Sequence, residues 1–339
     1  MKTVVYTCPY VPAEWIAAHG LRPWRVVCSA AGPDAAAPRR EGMCAYARSF
    51  LNEALSISGA DAVVMTTLCD QMRRAFDVLD VRALAAFLLN VPATWQNDAA
   101  FDYYVEQLRR LGRFLTALGG IEPSQDRLAA VMTQYQTARQ LLAAVRRSHT
   151  AGRWAQLVEQ FGRHGPAVLD ELCDSSRHNA IRNAPYEQRT TNHNIALALI
   201  GGPLLREDFD LYDIIEDNGG RIALDATETG RRGWPGEFDA VTANADPLTA
   251  LAGAYFHGVK DPSRRPNDPL YTWLKAGCQS QSVRGVVCYR HVWCDAWHAE
   301  LPRMRERLGL PVLDIEARSD GAAEQRTLGR ILAFLEMLR

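Results

Sequence analysis

The sequence predicts an α/β protein with two doubly wound parallel-sheet domains, of the Rossmann or flavodoxin-like type, joined by a helical segment. Short apolar runs alternate with amphipathic stretches in the first hundred residues and again after residue 190, which is typical of parallel sheets. Between them lie three long stretches with helical periodicity. We therefore expect an N-terminal α/β domain over residues 1–100, a helical connector over 101–190 and a C-terminal α/β domain over 191–339.

The N-terminal domain is predicted to contain four strands. We expect them at residues 3–7, 25–27, 62–65 and 87–91. The run at 62–65 is short and wholly apolar, as in a strand that is buried on both faces. Helices are expected after Pro12, with Gly20 as the stop, and from Cys44 and Asp70 onward.

The connector and the C-terminal domain follow the same rules. Ser124 after a proline indicates the start of the second long helix. A strand is expected after Asn194, ending before a Gly-Gly-Pro turn at 201–203. Further strands are expected at 221–224, 285–293 and 312–316, with helices at 211–217, after Cys294 and at 325–338.

Composition excludes several classes of protein. The chain has 339 residues and a net charge of −1, so its charge favours neither nucleic acid nor an anionic membrane as a partner. No apolar run is long enough to span a bilayer, and no signal-peptide cleavage site follows the first strand. We therefore expect a cytoplasmic protein. Its eight cysteines then indicate free thiols or metal ligands rather than a disulfide framework.

Three cysteines stand where a helix is predicted to begin. Cys69 and Cys294 each follow an apolar strand and are each followed by aspartate and a helix, and Cys44 follows a glycine and opens another helix. Ligands of open α/β sheets bind at the carboxyl ends of the strands. A helix amino terminus also lowers the pKa of a thiol and so favours thiolate, the form that binds metals. The alternative is that these cysteines are ordinary buried packing residues.

Other residues have both a functional and a structural interpretation. Glu14 could face an active site or could simply favour the helix dipole. His291 and His298 flank Cys294 and could serve as hydrogen-bond donors or acid–base groups, or be structural. The glycines at 201–202 could approach a phosphate or form a plain turn.

Several stretches together resemble the iron–sulfur subunits of the 2-hydroxyacyl-CoA dehydratase and benzoyl-CoA reductase family. In PAEWIAAHGLRPWRV at 12–26, the matching residues are Pro12, Glu14, Gly20, Pro23 and Arg25. GMCAYARSF, TTLCDQMRR and HVWCDAWHAELP resemble the cysteine sites of the family, and LGLPVLDIEARSD with AFLEML resembles its carboxyl end. The resemblance covers nearly the whole chain.

The resemblance implies a 4Fe–4S cluster held by Cys44, Cys69 and Cys294, with one iron lacking a protein ligand. It implies that an ATP-dependent iron–sulfur activator protein delivers one low-potential electron, which forms a ketyl radical on an acyl-CoA substrate. The outcome is dehydration by a lyase or ring reduction by an oxidoreductase. The family also implies a sister subunit or a homodimer. Glu14 and His291 are the candidate catalytic residues.

The sequence departs from the family at a few positions. Many relatives have cysteine where Glu228 aligns, and the usual pattern near Gln325 is shifted. Cys8 and Cys28 have positions that look like those in double-cubane proteins of the same superfamily, which carry an 8Fe cluster and reduce small molecules. The alternatives are therefore a double-cubane reductase, with Cys8 and Cys28 as additional ligands, and a cluster-free partner subunit.

Overall fold

Two four-stranded parallel sheets surrounded by helices make up the protein, which confirms the predicted fold class. The computed structural model describes residues 1–30, 42–79, 84–168, 195–238, 240–317 and 322–339. The predicted start of the fifth strand at Asn194 and the end of the third long helical stretch lie outside these residues. No helix in the described ranges is long and apolar enough to cross a membrane.

The first sheet comes from the N-terminal hundred residues. Its elements are β1 (Thr3–Tyr6), α1 (Ala13–Ala18), β2 (Arg22–Arg25), α2 (Ala45–Ser56), β3 (Ala60–Thr66), α3 (Asp70–Val78) and β4 (Ala85–Leu89). The strand order is β2-β1-β3-β4, and all three pairings are parallel. Apolar side chains from α1 pack on one face and those from α2 and α3 on the other, so the inner strands are buried on both sides.

Long helices follow the first sheet. They are α4 (Asp98–Ala117), α5 (Gln125–Val145) and α6 (Ala151–His164). The predicted cap at Ser124 is confirmed, because its side chain accepts a hydrogen bond from the backbone N–H of Arg127 at 3.2 Å. Helix α4 covers β4, and α6 packs against β2.

The second sheet repeats the topology of the first. Its elements are β5 (Ile195–Gly201), α7 (Asp210–Asp217), β6 (Gly220–Ala226), α8 (Ala240–Ala245), α9 (Pro247–Gly258), α10 (Asp268–Ser280), β7 (Gly285–His291), α11 (Asp295–Leu308), β8 (Val312–Ala317) and α12 (Ala322–Met337). The strand order is β6-β5-β7-β8, again entirely parallel. Helices α7 and α12 cover one face, and α10 and α11 cover the other.

Two strand predictions are wrong in position, and the strand predicted at 285–293 ends at His291. The second strand pairs as Arg22–Arg25 rather than 25–27, because β2 is an edge strand, where the missing N–H of Pro23 is tolerated. The fourth strand is Ala85–Leu89 rather than 87–91, because the N–H of Val91 donates to the Thr67 hydroxyl instead of a ladder carbonyl.

Helix α9 was not predicted from the sequence. Pro247 begins it, and the Asp246 side chain accepts a hydrogen bond from the N–H of Thr249 at 3.1 Å. It is apolar on most sides because it is buried among α4, α5 and α8, so it lacks the single apolar stripe of a surface helix. A helix from the second half of the chain thus packs into the core around the first sheet.

Glu14 anchors this core. Its side chain is fully buried and forms an ion pair with Arg139 of α5, and the hydroxyl of Tyr255 in α9 donates to its other oxygen at 2.6 Å. Both carboxylate oxygens are therefore occupied by partners from separate helices. These contacts support a structural role for Glu14; its predicted catalytic role remains a prediction.

The buried pair predicts a large stability effect. Glu14→Gln leaves the Arg139 guanidinium buried without a counter-charge, so we expect the free energy of unfolding to fall by about 3 kcal/mol. Urea unfolding followed by circular dichroism measures this. Glu106→Gln, in an exposed ion pair with Arg113, is the control and should unfold like the parent. Equal stability of Glu14→Gln and the parent protein would contradict the account.

Candidate functional site

The two sheets meet at one cavity. In each sheet the chain reverses direction across the first strand, since β2 lies on one side of β1 and β3 on the other, and likewise β6 and β7 around β5. Ligands of open α/β sheets bind at such points, outside the carboxyl ends of the strands. The residues that follow these inner strands line a shared cavity of about 440 Å³: Thr7 and Cys8, Leu68 and Cys69, Gly202 and Pro203, Trp293 and Cys294. We call it the cysteine cavity.

The three predicted ligand cysteines all line this cavity. Cys44, Cys69 and Cys294 are the residues that cap the amino ends of α2, α3 and α11. The Sγ atom of Cys44 accepts a hydrogen bond from the N–H of Ala47 at 3.3 Å. Cys44 and Cys294 each raise the pKa of Cys69, so the thiols lie within electrostatic reach of one another.

The expectation that these thiols have lowered pKa values is wrong for the protein without a bound metal. Burial raises the pKa of Cys44, and it raises the pKa of Cys294 to about 11. Cys69 is exposed towards the cavity, yet the surrounding protein still raises its pKa. Loss of water outweighs the backbone hydrogen bonds at the helix ends, so the thiols are protonated until a cation compensates the thiolate charge.

Apart from Cys173, which lies outside the described residues, the remaining cysteines divide into two groups. Cys8 lines the cavity beside the three ligand candidates, and burial raises its pKa to about 12. Cys28 is fully buried in the apolar core beneath α2 and does not line the cavity. Cys278 and Cys288 pack in the core of the second sheet.

His291 lines the cavity and has a buried ring nitrogen without a hydrogen-bond partner. It ends β7, and its Nε2 bonds to the carbonyl of Pro203 at 2.8 Å, so Nε2 carries the proton. Its Nδ1 has no hydrogen-bond partner. Burial lowers the pKa of His291, while nearby Asp208 opposes the shift. The ring is therefore a neutral imidazole with a free acceptor atom. His298 is exposed on α11 and lies outside the cavity lining.

Charged residues that were not among the predicted site residues also face the cavity. Glu228 and Asp261 line it, and the fully buried Arg232 lies between them, at 3.7 Å from Glu228 and 3.4 Å from Asp261. Burial raises the pKa of Glu228, although Arg232 acts in the opposite direction. The segments that carry Glu228 and Asp261 were predicted only as loops, because burial of a charge leaves no mark in sequence periodicity.

The glycine turn after β5 has a structural explanation. A side chain at Gly201 would collide with the Tyr289 backbone, so glycine is required for the close approach of β5 and β7. Gly202 lines the cavity, and its carbonyl accepts a hydrogen bond from the N–H of Glu228 at 3.3 Å. These contacts favour the interpretation of Gly201 and Gly202 as a plain tight turn over that of a phosphate-binding turn.

No three His, Cys, Asp or Glu side chains converge on a single-ion site anywhere in the described ranges.

Comparisons with known proteins identify the family. The family model described as "2-hydroxyglutaryl-CoA dehydratase, D-component" matches residues 8–338. No curated protein matches the chain. Among solved structures, the SBP FpvC of P. aeruginosa in complex with Ni²⁺ is 11% identical, with a TM-score of 0.24 over 100% of this chain and 96% of that one. Because the family model spans almost the whole sequence, this protein belongs to the 2-hydroxyglutaryl-CoA dehydratase D-component family.

Proposed function

We propose that this protein is the iron–sulfur subunit of a 2-hydroxyacyl-CoA dehydratase, a lyase, with Cys44, Cys69 and Cys294 as ligands of a 4Fe–4S cluster. Family membership supports the dehydratase assignment. The observation that carries the proposal is that three thiols from the amino ends of separate helices line one cavity.

The residues present fit such a cluster. Thiolates are the usual ligands of 4Fe–4S clusters, and three of them leave one iron open to substrate. Burial raises the pKa of Cys44 and Cys294, and binding of a metal would favour the thiolate form of both. Helix amino ends behind the ligands stabilise the negative charge of the thiolates.

When bound, the cluster would supply a low-potential electron, received from an ATP-dependent activator, that converts the thioester carbonyl of an acyl-CoA to a ketyl radical. The protein would contribute binding, orientation and exclusion of water. The neutral ring of His291 lines the cavity and is the candidate acceptor for a substrate proton. Glu228 retains a proton more readily than an exposed carboxyl group, so it suits donation to the departing hydroxyl.

Membership in a D-component family supports a partner subunit. Trp293 is 58% exposed beside the cavity, in a left-handed backbone conformation with φ of 69°. An exposed tryptophan at the edge of a site is typical of a protein contact. We assign this edge to the sister subunit or second copy that closes the cavity.

The double-cubane reductase is the second candidate, and Cys8 is the observation that favours it. Cys8 lies in the cavity with the three ligand candidates, whereas Cys28 is enclosed in apolar core. One additional thiol supports a single cubane more than an 8Fe assembly, because a second cubane needs ligands of its own.

The ligand assignment predicts the effect of losing one thiol. Cys69→Ser should lose the cluster, with iron falling from about four atoms per chain to near zero while the circular dichroism spectrum stays unchanged. Iron and acid-labile sulfide are measured after anaerobic purification. Cys278→Ser, in the core of α10, is the matched control and should keep its iron. Full iron content in Cys69→Ser would rule out the assignment.

Cys8 separates the two cluster types. Under the single-cubane proposal, Cys8→Ala should retain about four irons per chain. About eight irons in the parent, with a drop in Cys8→Ala, would favour the double-cubane reductase. No iron in the parent, even after reconstitution, would favour the cluster-free subunit.

Replacement of His291 should lower turnover without changing the iron content. His291→Gln keeps a donor for the Pro203 carbonyl but loses the imidazole Nδ1, so kcat should fall by about 100-fold with unchanged iron content. The assay uses the assembled enzyme with its activator and a 2-hydroxyacyl-CoA. Parent-like turnover would show that Nδ1 takes no part.

A further inference from the structure

A single side chain joins two of the three ligand candidates. Gln71 lies in the first turn of α3, two residues after Cys69, and lines the cysteine cavity together with Cys44 and Cys69. Its Oε1 accepts a hydrogen bond from the backbone N–H of Cys44 at 2.9 Å. Gln71 and Cys44 are 27 positions apart in the sequence, so this bond ties the start of α2 to the start of α3.

The backbone of Gln71 contacts the second thiol. Burial raises the pKa of Cys69, and hydrogen bonds from the backbone N–H groups of Met72 and Gln71 act in the opposite direction. These N–H groups belong to the first turn of α3, where a helix has no carbonyl partners of its own to offer. Gln71 therefore contacts one ligand candidate through its main chain and another through its side chain.

A second side chain of α3 holds the same loop. Arg74 donates from Nη1 to the carbonyl of Gly42 at 2.9 Å, and Gly42 has a φ of 76°, which favours glycine. Residues three apart lie on one face of a helix, so Gln71 and Arg74 together hold residues 42–44. In contrast, the N–H of Cys294 donates to a carbonyl of its own loop, that of His291, at 3.1 Å.

The hydrogen bond to Cys44 fixes the orientation of the Gln71 amide. A backbone N–H can only donate, so the amide oxygen faces Cys44 and Nε2 faces away. Nε2 reaches no acceptor among the described residues, and it is not enclosed by the protein. Gln71 is also the one side-chain amide among the described residues that line the cavity. It therefore offers a neutral N–H donor beside two of the thiols.

We propose that Gln71 positions Cys44 against Cys69 and donates a hydrogen bond from Nε2 to a sulfur of the bound cluster, which makes the cluster easier to reduce. The inference rests on the proposed function, because it requires the cluster at these thiols. Hydrogen bonds to the sulfurs are one of the factors that set the reduction potential of such clusters, since they stabilise the negative charge that reduction adds. Glutamine can perform both tasks because its amide has an acceptor and a donor, whereas glutamate has acceptors alone.

Two substitutions separate the two tasks. Gln71→Glu keeps an acceptor for the N–H of Cys44 but loses the donor, and Gln71→Leu loses both. Arg73→Gln is the matched control, because it lies on the exposed side of α3 and makes the protein more negative by one charge, as Gln71→Glu does. Circular dichroism confirms that each variant is folded.

Hydrogen–deuterium exchange of the metal-free protein measures the positioning of Cys44. Exchange in the peptide that contains the Cys44 amide should become about fivefold faster in Gln71→Leu, because the amide loses its acceptor. It should stay like the parent in Gln71→Glu and in Arg73→Gln. Parent-like exchange in Gln71→Leu would overturn the positioning role.

A redox titration of the iron-loaded protein, followed by electron paramagnetic resonance at pH 8, measures the donation. In Gln71→Glu the equilibrium constant for one-electron reduction should fall about tenfold, a decrease of about 59 mV in midpoint potential, with iron content like the parent. Arg73→Gln should shift the potential less. Equal potentials in Gln71→Glu and Arg73→Gln would overturn the donation.

Failure of the cluster assignment is seen separately. Full iron content in Cys69→Ser, or absence of iron from the parent after reconstitution, would overturn that assignment and the donation with it. Exchange of the Cys44 amide is measured without metal, so it still decides the positioning role of Gln71. A parent that binds iron, with Gln71 variants that match it in exchange and potential, would overturn the inference and leave the proposed function standing.

Discussion

The site depends on two parallel sheets that present the carboxyl ends of their inner strands to one cavity. Each sheet alone would place one or two thiols at its edge; only their mutual position brings the three ligand candidates together. Arg25 helps to fix that position, because it donates from Nε to the carbonyl of Thr7 and from Nη2 to the carbonyl of Glu228, both at 2.9 Å. One side chain thus joins the loop after β1 to the loop after β6.

Burial sets the electrostatic character of the cavity. It keeps the thiols protonated in the absence of a compensating cation, keeps His291 neutral, and makes Glu228 a weaker acid. Arg232 supplies the positive charge that opposes Glu228 and Asp261. Its guanidinium also donates to the carbonyls of Gly201, Ala226 and Lys260. The same buried arginine therefore holds the loops of both carboxylates and limits their repulsion.

Local sequence signals located much of this architecture. Apolar runs marked the strands, and helix starts marked the junctions at Cys44, Cys69 and Cys294; the carboxyl ends of parallel strands share an edge, so the cysteines were expected to meet. The edge strand β2 was misplaced because its proline and arginines lack an apolar pattern. Helix α9 was missed because it is buried on several sides. The burial of Glu228 and Arg232 could not be predicted, since it depends on contacts between distant segments.

Anomalous diffraction at the iron absorption edge, from anaerobically grown crystals, tests the central claim most directly. The account predicts one iron peak in the cysteine cavity, in contact with the Sγ atoms of Cys44, Cys69 and Cys294. An iron-loaded protein whose anomalous peak lies outside that cavity, or is bound by other cysteines, would contradict it.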